Sequence, residues 1–328
     1  MVTDALIVGA GLSGLIAANK LHKAGKIVTV VDKGRSTGGR LATRRIGDGI
    51  ADHGAQFFTV RTETFREQVD EWLADDLVYV WGHGWSDGSL KRTQSDGHPR
   101  YAAKGGMNNI AKNLEENLDN VHVNTFVTDV KWDSNIWHVI THDGASFDSK
   151  VLILTPPVPQ ALNLLNNVPM SDVNLAELRR IEYGPCLCGL FVVDGDVNLP
   201  EPGARQNFDD AIYWIADNKA KGISEERIIT MHVEARYSRV HYLDPDETTL
   251  SYLAKELQEY LGEGATIQAS QLKKWRYSLP ITTYPRDILQ AAGLPLIFAG
   301  DAFGGRGRVE GAFMSGYAAG DTALELLK

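Results

Sequence analysis

The feature that most restricts this chain lies at its start. Gly9-Ala-Gly-Leu-Ser-Gly14 separates an apolar run, Asp4-Ala-Leu-Ile-Val8, from a stretch with helical spacing, Leu12 to Ala24 (Leu15, Ala18, Leu21). The run reads as a buried parallel strand. Gly25 stops the helix, and Ile27-Val-Thr-Val-Val31 follows as a second strand that ends at Asp32. Strand, turn, helix and strand make one βαβ unit. Its three glycines have separate tasks. Gly9 permits the tight turn, Gly11 lets the backbone approach a pyrophosphate, and Gly14 allows close helix–strand packing. The helix then offers its unpaired N–H groups to the phosphates. Asp32 stands where a carboxylate accepts from ribose hydroxyls. This motif alone does not separate NAD from FAD.

Two further motifs do. After Asp32-Lys33 the chain reaches Gly38-Gly39-Arg40, where glycine backbone passes under a diphosphate and Arg40 can pair with it. At the far end Ala299-Gly300-Asp301 is followed by Arg308-Val-Glu-Gly311-Ala312, which opens a helix. Asp301 is positioned for a ribityl hydroxyl or a phosphate-linked water. The helix from Gly311 would aim its positive end at the N1/C2=O region of a flavin and stabilise the reduced anion. A purely NAD-dependent enzyme has no need of that helix. The expectation is non-covalent FAD, because no cysteine occurs after Cys188 to form a C-terminal cysteinyl link.

Between these ends the pattern predicts helices over 64–73, 108–118, 173–182 and 248–261, and a final helix over 311–327. Strands are expected over 121–124, 127–132, 137–141, 151–154, 188–193, 211–215, 228–233, 272–277 and 295–299. Residues 33–60 read as a Gly- and Arg-rich loop, and 77–100 as short strands with turns at Ser86-Asp-Gly88 and Asp96-Gly-His-Pro99. The fold class is therefore α/β: a Rossmann-type FAD-binding domain with an inserted α+β substrate domain. The division expected is 1–60, 100–160 and 290–328 for the cofactor, and 61–99 plus 161–289 for the substrate. A length of 328 residues suits two such domains.

Composition narrows the class. The formal net charge of −9 argues against a nucleic-acid surface. No apolar run reaches the roughly 20 residues of a membrane span. The only cysteines, Cys186 and Cys188, are too close for a C-x-x-C redox pair and read as structural thiols. Few cysteines and no secretory leader pattern point to a cytoplasmic setting. No metal cluster is apparent. A second G-x-G-x-x-G is also missing, so any nicotinamide is expected as a substrate at the flavin face.

The order G-x-G-x-x-G, acid, G-G-R, then G-D and the Val309-Glu-Gly-Ala312-x-x-Ser315-Gly316 helix resembles the flavin amine oxidase superfamily, with its p-hydroxybenzoate hydroxylase-like fold. Within it the chain is similar to the bacterial renalases. The closer motifs are Asp52-His-Gly-Ala-Gln56-Phe57, Lys104-Gly-Gly-Met107, Leu154-Thr-Pro-Pro-Val-Pro-Gln160, His232 and Lys274-Trp-Arg-Tyr277. They run through almost the whole chain in the family's order. Motifs and resemblance together give cofactor-binding candidates Gly9, Gly11, Leu12, Ser13, Gly14, Asp32, Lys33, Gly39, Arg40, Leu41, Gly54, Ala55, Gln56, Phe57, Val127, Gly300, Asp301, Val309, Glu310, Gly311 and Ala312. The resemblance implies that Val127 meets adenine through its backbone and that Gln56 and Phe57 lie by the isoalloxazine. It implies a substrate pocket drawn from Gln56, Phe57, His232, Trp275 and Tyr277, with Asn218 and Lys219 near it. Tyr277 stands where some relatives have His.

The resemblance also implies a reaction. Renalases oxidise the 2- and 6-dihydro isomers of NAD(P)H to NAD(P)+, and dioxygen takes the electrons to give hydrogen peroxide. Such a hydride loss needs stacking, orientation and exclusion of water rather than a general base. No catalytic side chain is therefore assigned; the flavin carries the chemistry. His53 reads as a structural hydrogen-bonding residue, His232 as a core or pocket histidine, and Trp275 and Tyr277 as core or pocket aromatics. His83 and His98 read as solvated. Arg306 and Arg308 would guide an anionic dinucleotide or neutralise FAD phosphates. The rival readings are an amine oxidase or desaturase acting on a small neutral molecule, and a non-catalytic flavoprotein.

Overall fold

The carboxyl ends of four parallel strands finish level with one another, and this alignment organises the molecule. In the computed structural model, which describes residues 2–88, 93–305 and 307–328, Val8 pairs with Val31 on one side and with Leu154 on the other. Leu154 in turn pairs with Phe298.

In chain order the elements begin with β1 (Val2–Val8), α1 (Leu12–Lys23), β2 (Val28–Val31), β3 (Thr43–Ile46), β4 (Gly49–Asp52) and α2 (Glu63–Ala74). Next come β5 (Val78–Ser86), β6 (Thr93–Ala103), α3 (Asn108–Glu115), β7 (Val121–His122), β8 (Val127–Asp133), β9 (Ile136–Thr141), β10 (Ser146–Leu154), α4 (Val158–Leu162) and α5 (Asp172–Arg179). Then follow β11 (Tyr183–Asp194), β12 (Ala204–Gln206), β13 (Ile212–Asp217), β14 (Ile228–Val233), α6 (Ala235–His241) and α7 (Asp246–Leu257). The chain ends with β15 (Thr266–Pro280), β16 (Leu289–Gln290), β17 (Leu296–Phe298) and α8 (Arg308–Leu326).

Among the described residues these build two large sheets. The first has the order β16-β17-β10-β1-β2-β7, with the antiparallel pair β8–β9 attached to β10. Its β2 and the C-terminal halves of β1 and β10 are buried, apolar and rich in branched residues, as strands covered on both faces must be. The last segment of the chain completes this sheet, because β17 lies beside β10. Helix α8 also packs on α1: a Cβ on Gly316 would sit 2.3 Å from the Ser13 carbonyl oxygen, so only glycine permits that approach. The second sheet has the order β15-β11-β14-β13-β12-β5-β6. Among the described residues no helix is long and apolar enough to cross a membrane.

Four expectations change. Residues 33–60 are not all loop: β3 and β4 form a hairpin, overlooked because only Ile46, Gly49, Ala51 and Asp52 of its eight residues are buried. Asp96-Gly-His-Pro99 does not end a strand but bulges within β6, between the pairs Gly84–Ser95 and Gly82–Arg100. Asp96 accepts there from the His98 N–H at 3.0 Å, which holds the local turn. The expected 99/100 division consequently falls inside β6. Helix α6 is an addition to the expected elements; it buries only Ser238 and has no apolar stripe to announce it.

Candidate functional site: a cofactor cavity with an aromatic end

A cavity of about 1660 Å³ opens at the carboxyl ends of the parallel strands. This is where open α/β sheets bind ligands. Gly9 leaves β1 with φ +107, a left-handed turn that a side chain would strain. Helix α1 then starts at Leu12 without a side-chain cap, so its first N–H groups remain available to an anion. The Ser13 hydroxyl is buried and has no hydrogen-bond partner among the described residues. A Cβ on Gly11 would meet nothing within 4 Å, whereas one on Gly14 would lie 2.0 Å from the Gly9 carbonyl oxygen. Gly11 thus keeps space open, and Gly14 keeps helix and turn together.

Asp32 braces this turn. Its carboxylate accepts from the Ala10 N–H at 2.7 Å and the Gly34 N–H at 2.6 Å. Both oxygens retain lone pairs for hydroxyl donors in the cavity. Arg40 and Asp301, distant in sequence, form a two-pronged ion pair of 2.6 and 2.7 Å. Burial raises the Asp301 pKa against the opposing guanidinium. The pair keeps a charged donor and a charged acceptor together on the cavity wall.

The other end of the cavity is aromatic. Phe57 packs against Trp85 at 4.9 Å and Trp214 at 5.3 Å between ring centroids. His53 stacks on Trp275 at 5.2 Å, and the Trp275 indole N–H donates to the His53 carbonyl at 2.8 Å. Tyr213 and the Nδ1 of His232 are 3.3 Å apart. Burial pushes the His53 imidazole down to about 3 and that of His232 to about 4. Both rings are neutral near pH 7. The Gln56 amide donates to the Asp52 and Gly54 carbonyls at 2.7 and 3.1 Å. Its oxygen, and the Nε2 of His232, are buried without partners among the described residues.

Comparison with known proteins agrees with this geometry. Residues 65–324 match the flavin-containing amine oxidoreductases, and residues 7–72 match an NAD(P)-binding Rossmann-like domain. This chain belongs to the flavin-containing amine oxidoreductase family. It is 25% identical to mouse renalase over 296 residues, covering 83% of this chain and 84% of the other. The fold is similar to that of a putative protoporphyrinogen oxidase from Exiguobacterium sp. 255-15, with TM-score 0.73, 12% identity and coverage of 98% and 99% of the two chains. It is also similar to putrescine oxidase bound to putrescine, with TM-score 0.69, 16% identity and 99% of each chain covered. The protein is thus a renalase-like, FAD-dependent oxidoreductase of the flavin amine oxidase superfamily.

The residues present fit FAD. The cavity is larger than the roughly 300–1,000 Å³ of an ordinary small-molecule pocket, and so has room for a dinucleotide beside a substrate. The uncapped α1 terminus, the open space over Gly11 and the unpartnered Ser13 hydroxyl suit a diphosphate. Of the expected residues, Gly9, Gly11, Leu12, Ser13, Asp32, Lys33, Gly39, Arg40, Leu41, Gly54, Ala55, Gln56, Phe57, Val127, Gly300, Asp301, Val309, Glu310 and Ala312 line the cavity, as do His232, Trp275 and Tyr277.

Others stand elsewhere. Gly14 and Gly311 lie behind the wall rather than on it. The Glu310 carboxylate turns to the start of α2, accepting from the Arg61 and Thr62 N–H groups at 3.1 and 2.7 Å, so its side chain is structural. Asn218 and Lys219 are not on the pocket. Asn218 is fully buried and donates to the Ile228 carbonyl and the Thr230 hydroxyl, because its turn packs under β4. Arg306 lies outside the described residues; Arg308 lines the cavity.

One important residue escaped the sequence. The ammonium of Lys221, fully buried, lies 2.6 Å from Asp52 and 2.6 Å from the carbonyl of Gln56. A single lysine beside Gly222 reads as a solvated turn. Only the neighbouring D-H-G-A-Q-F motif, which places an acid four residues before Gln56, could have hinted at a buried partner.

Proposed function

We propose that this protein oxidises the 2- and 6-dihydro isomers of NAD(P)H to NAD(P)+, with dioxygen reduced to hydrogen peroxide. When bound, FAD supplies the hydride acceptor and the route for electrons to oxygen. The observation that carries the reading is the aromatic end of the cavity, where Phe57, Trp214 and Trp275 line the wall beside His53 and His232, two imidazoles that desolvation holds neutral. A dihydropyridine loses hydride by the push of its own ring nitrogen and needs no base. Flat aromatic walls and neutral hydrogen-bonding groups are what such a ring requires. The similarity to renalase supports the same reading.

In this reading Gly9, Gly11, Ser13 and the α1 terminus hold the FAD diphosphate, Asp32 takes a ribose hydroxyl, and Arg40 with Asp301 holds the polar middle of the cofactor. Phe57, Trp214 and Trp275 orient the substrate ring and exclude water. The unpartnered Gln56 oxygen and His232 Nε2 meet its polar substituents. The division into 1–60, 100–160 and 290–328 for cofactor and 61–99 plus 161–289 for substrate belongs to the same proposal, supported by the two sheets except at 99/100, where β6 continues to Ala103 in the second sheet. So does a cytoplasmic setting, supported by two free buried thiols.

The test is anaerobic mixing of the purified flavoprotein with 6-dihydro-NAD, ordinary NADH serving as control. Rapid bleaching of the flavin by the isomer alone is expected, with peroxide formed once air is admitted. Bleaching by small amines but by neither isomer would overturn the substrate and favour an amine oxidase.

A further inference from the structure

A second cavity, of about 440 Å³, adjoins the first. Thr59 and Arg61 line both, so the two meet just beyond Phe57 in the chain. The lining of the second cavity includes Arg61, Arg66 and Arg100 and one acidic residue, Asp96. Three guanidiniums around one small space would be unremarkable on a basic protein. This one has a net charge of −9, so the local excess is not inherited from the whole.

The pairing inside the cluster is incomplete. Arg100 grips Asp96 through two nitrogens at 2.6 Å each, while its Nε is buried without a partner among the described residues. Arg66 donates to the Tyr101 hydroxyl at 2.9 Å, a neutral partner. Arg61 is exposed. Neither Arg61 nor Arg66 forms a salt bridge with a carboxylate among the described residues. Arg100 is spent on Asp96 and the His98 carbonyl, so Arg61 and Arg66 are the planar forked donors left to match a phosphate oxygen triangle.

We propose that this arginine cavity binds a phosphate group of a dinucleotide substrate whose ring occupies the aromatic end of the main cavity. The proposal rests on the dihydronicotinamide reading for the identity of that ring. A dinucleotide inserted ring-first against Phe57 has to carry its diphosphate outward, and Arg61 stands on the shared wall to receive it. The diphosphate of FAD has a separate place, at the α1 terminus.

The experiment uses flavin-loaded protein, with Arg66→Gln and Arg61→Gln beside the wild type and Arg66→Lys as the charge-retaining variant. Calorimetric titration with ADP-ribose, and separately with inorganic pyrophosphate, reads the site without any turnover. A rise in the ADP-ribose Kd of roughly 10- to 100-fold is expected in each Gln variant, with partial recovery in Arg66→Lys. The preference in kcat/KM for 6-dihydro-NAD over the phosphate-free 6-dihydronicotinamide riboside should fall by a similar factor. Flavin content and thermal midpoint report folding. Unchanged ADP-ribose affinity in both Gln variants refutes the site, as does an equal loss for riboside and dinucleotide. Pyrophosphate binding without ADP-ribose binding refutes the dinucleotide as its source. Failure of both isomers to bleach the flavin, with ADP-ribose binding still lost in the variants, would sink the substrate reading and leave the phosphate site standing.

Discussion

Replacing Lys221 by Met tests whether the buried ion pair under the aromatic end supports it. The lysine side chain and that of Asp52 are both fully shielded from solvent. The ammonium meets the carboxylate and the Gln56 carbonyl at 2.6 Å each, and lies 4.8 Å from the centre of the Trp81 ring. Burial lowers the Lys221 pKa, and the Asp52 charge opposes that effect. Met keeps most of the stem volume and removes the charge. Asp52 is then left with neutral donors only, the Met107 N–H at 2.9 Å and the Thr43 hydroxyl. Breaking a buried pair in this way destabilises by about 3–5 kcal/mol. The double variant Asp52→Asn/Lys221→Met strands no charge and should lose clearly less. Equilibrium urea unfolding of the flavin-loaded protein, followed through tryptophan and flavin together, measures both. A loss under about 1 kcal/mol in Lys221→Met, or a double variant no better than the single, would refute the reasoning.

The glycines of the first turn should separate folding from binding: Gly11→Ala, with open space for its Cβ, should fold normally but lose FAD on dialysis. Gly14→Ala, 2.0 Å from a backbone oxygen, should fold poorly even when FAD is in excess. Circular dichroism and flavin content distinguish the two. Asp32→Ala should weaken FAD binding by about 1.5–3 kcal/mol through loss of a charge-assisted hydrogen bond, read as the Kd for FAD. His232, held at about 4, makes stability depend on pH. Its unfolded form takes up a proton near 6.5 while the folded form does not, so its contribution is complete above that pH. As pH falls from 6.5 toward 4 the folded state should lose about 1.4 kcal/mol per pH unit from this group. The difference in urea midpoint between wild type and His232→Gln at pH 7.5 and 5 isolates that loss.

The parts of the fold legible in the sequence are those where one residue type has one physical task. Gly9, Gly11 and Gly14 each announce a backbone constraint, and the apolar runs ending at Val8, Val31, Leu154 and Phe298 announce buried parallel strands. What escaped depends on partners far along the chain. Lys221 is 169 positions from Asp52, and nothing local marks it as desolvated. Glu310, taken for a cofactor residue from its motif, spends its carboxylate on the start of α2. The resemblance draws Asn218 toward the pocket, whereas its amide completes the hydrogen bonding of β14. Strand β15 reads locally as Leu272–Tyr277 but extends over Thr266–Pro280, since pairing with β11 recruits polar residues such as Ser270 and Gln271.

The Arg40–Asp301 pair shows why the two ends of the chain had to meet at this place. An ion pair largely withdrawn from water brings little net stability, because desolvation offsets most of the attraction. Burial raises the Asp301 pKa while the Arg40 charge lowers it, the two effects working against each other. What the pair does bring is position. Arg40 follows the left-handed Gly38 and Gly39, and its guanidinium also reaches the Ser278 carbonyl at the end of β15. Asp301 follows β17, which is in register with β10 and, through it, with β1. One fork of hydrogen bonds thereby locks the G-G-R turn, the last parallel strand and the long strand of the second sheet around the same point of the cavity. A pair of apolar residues could fill that space, but it could not present a donor and an acceptor of fixed orientation to a polar cofactor.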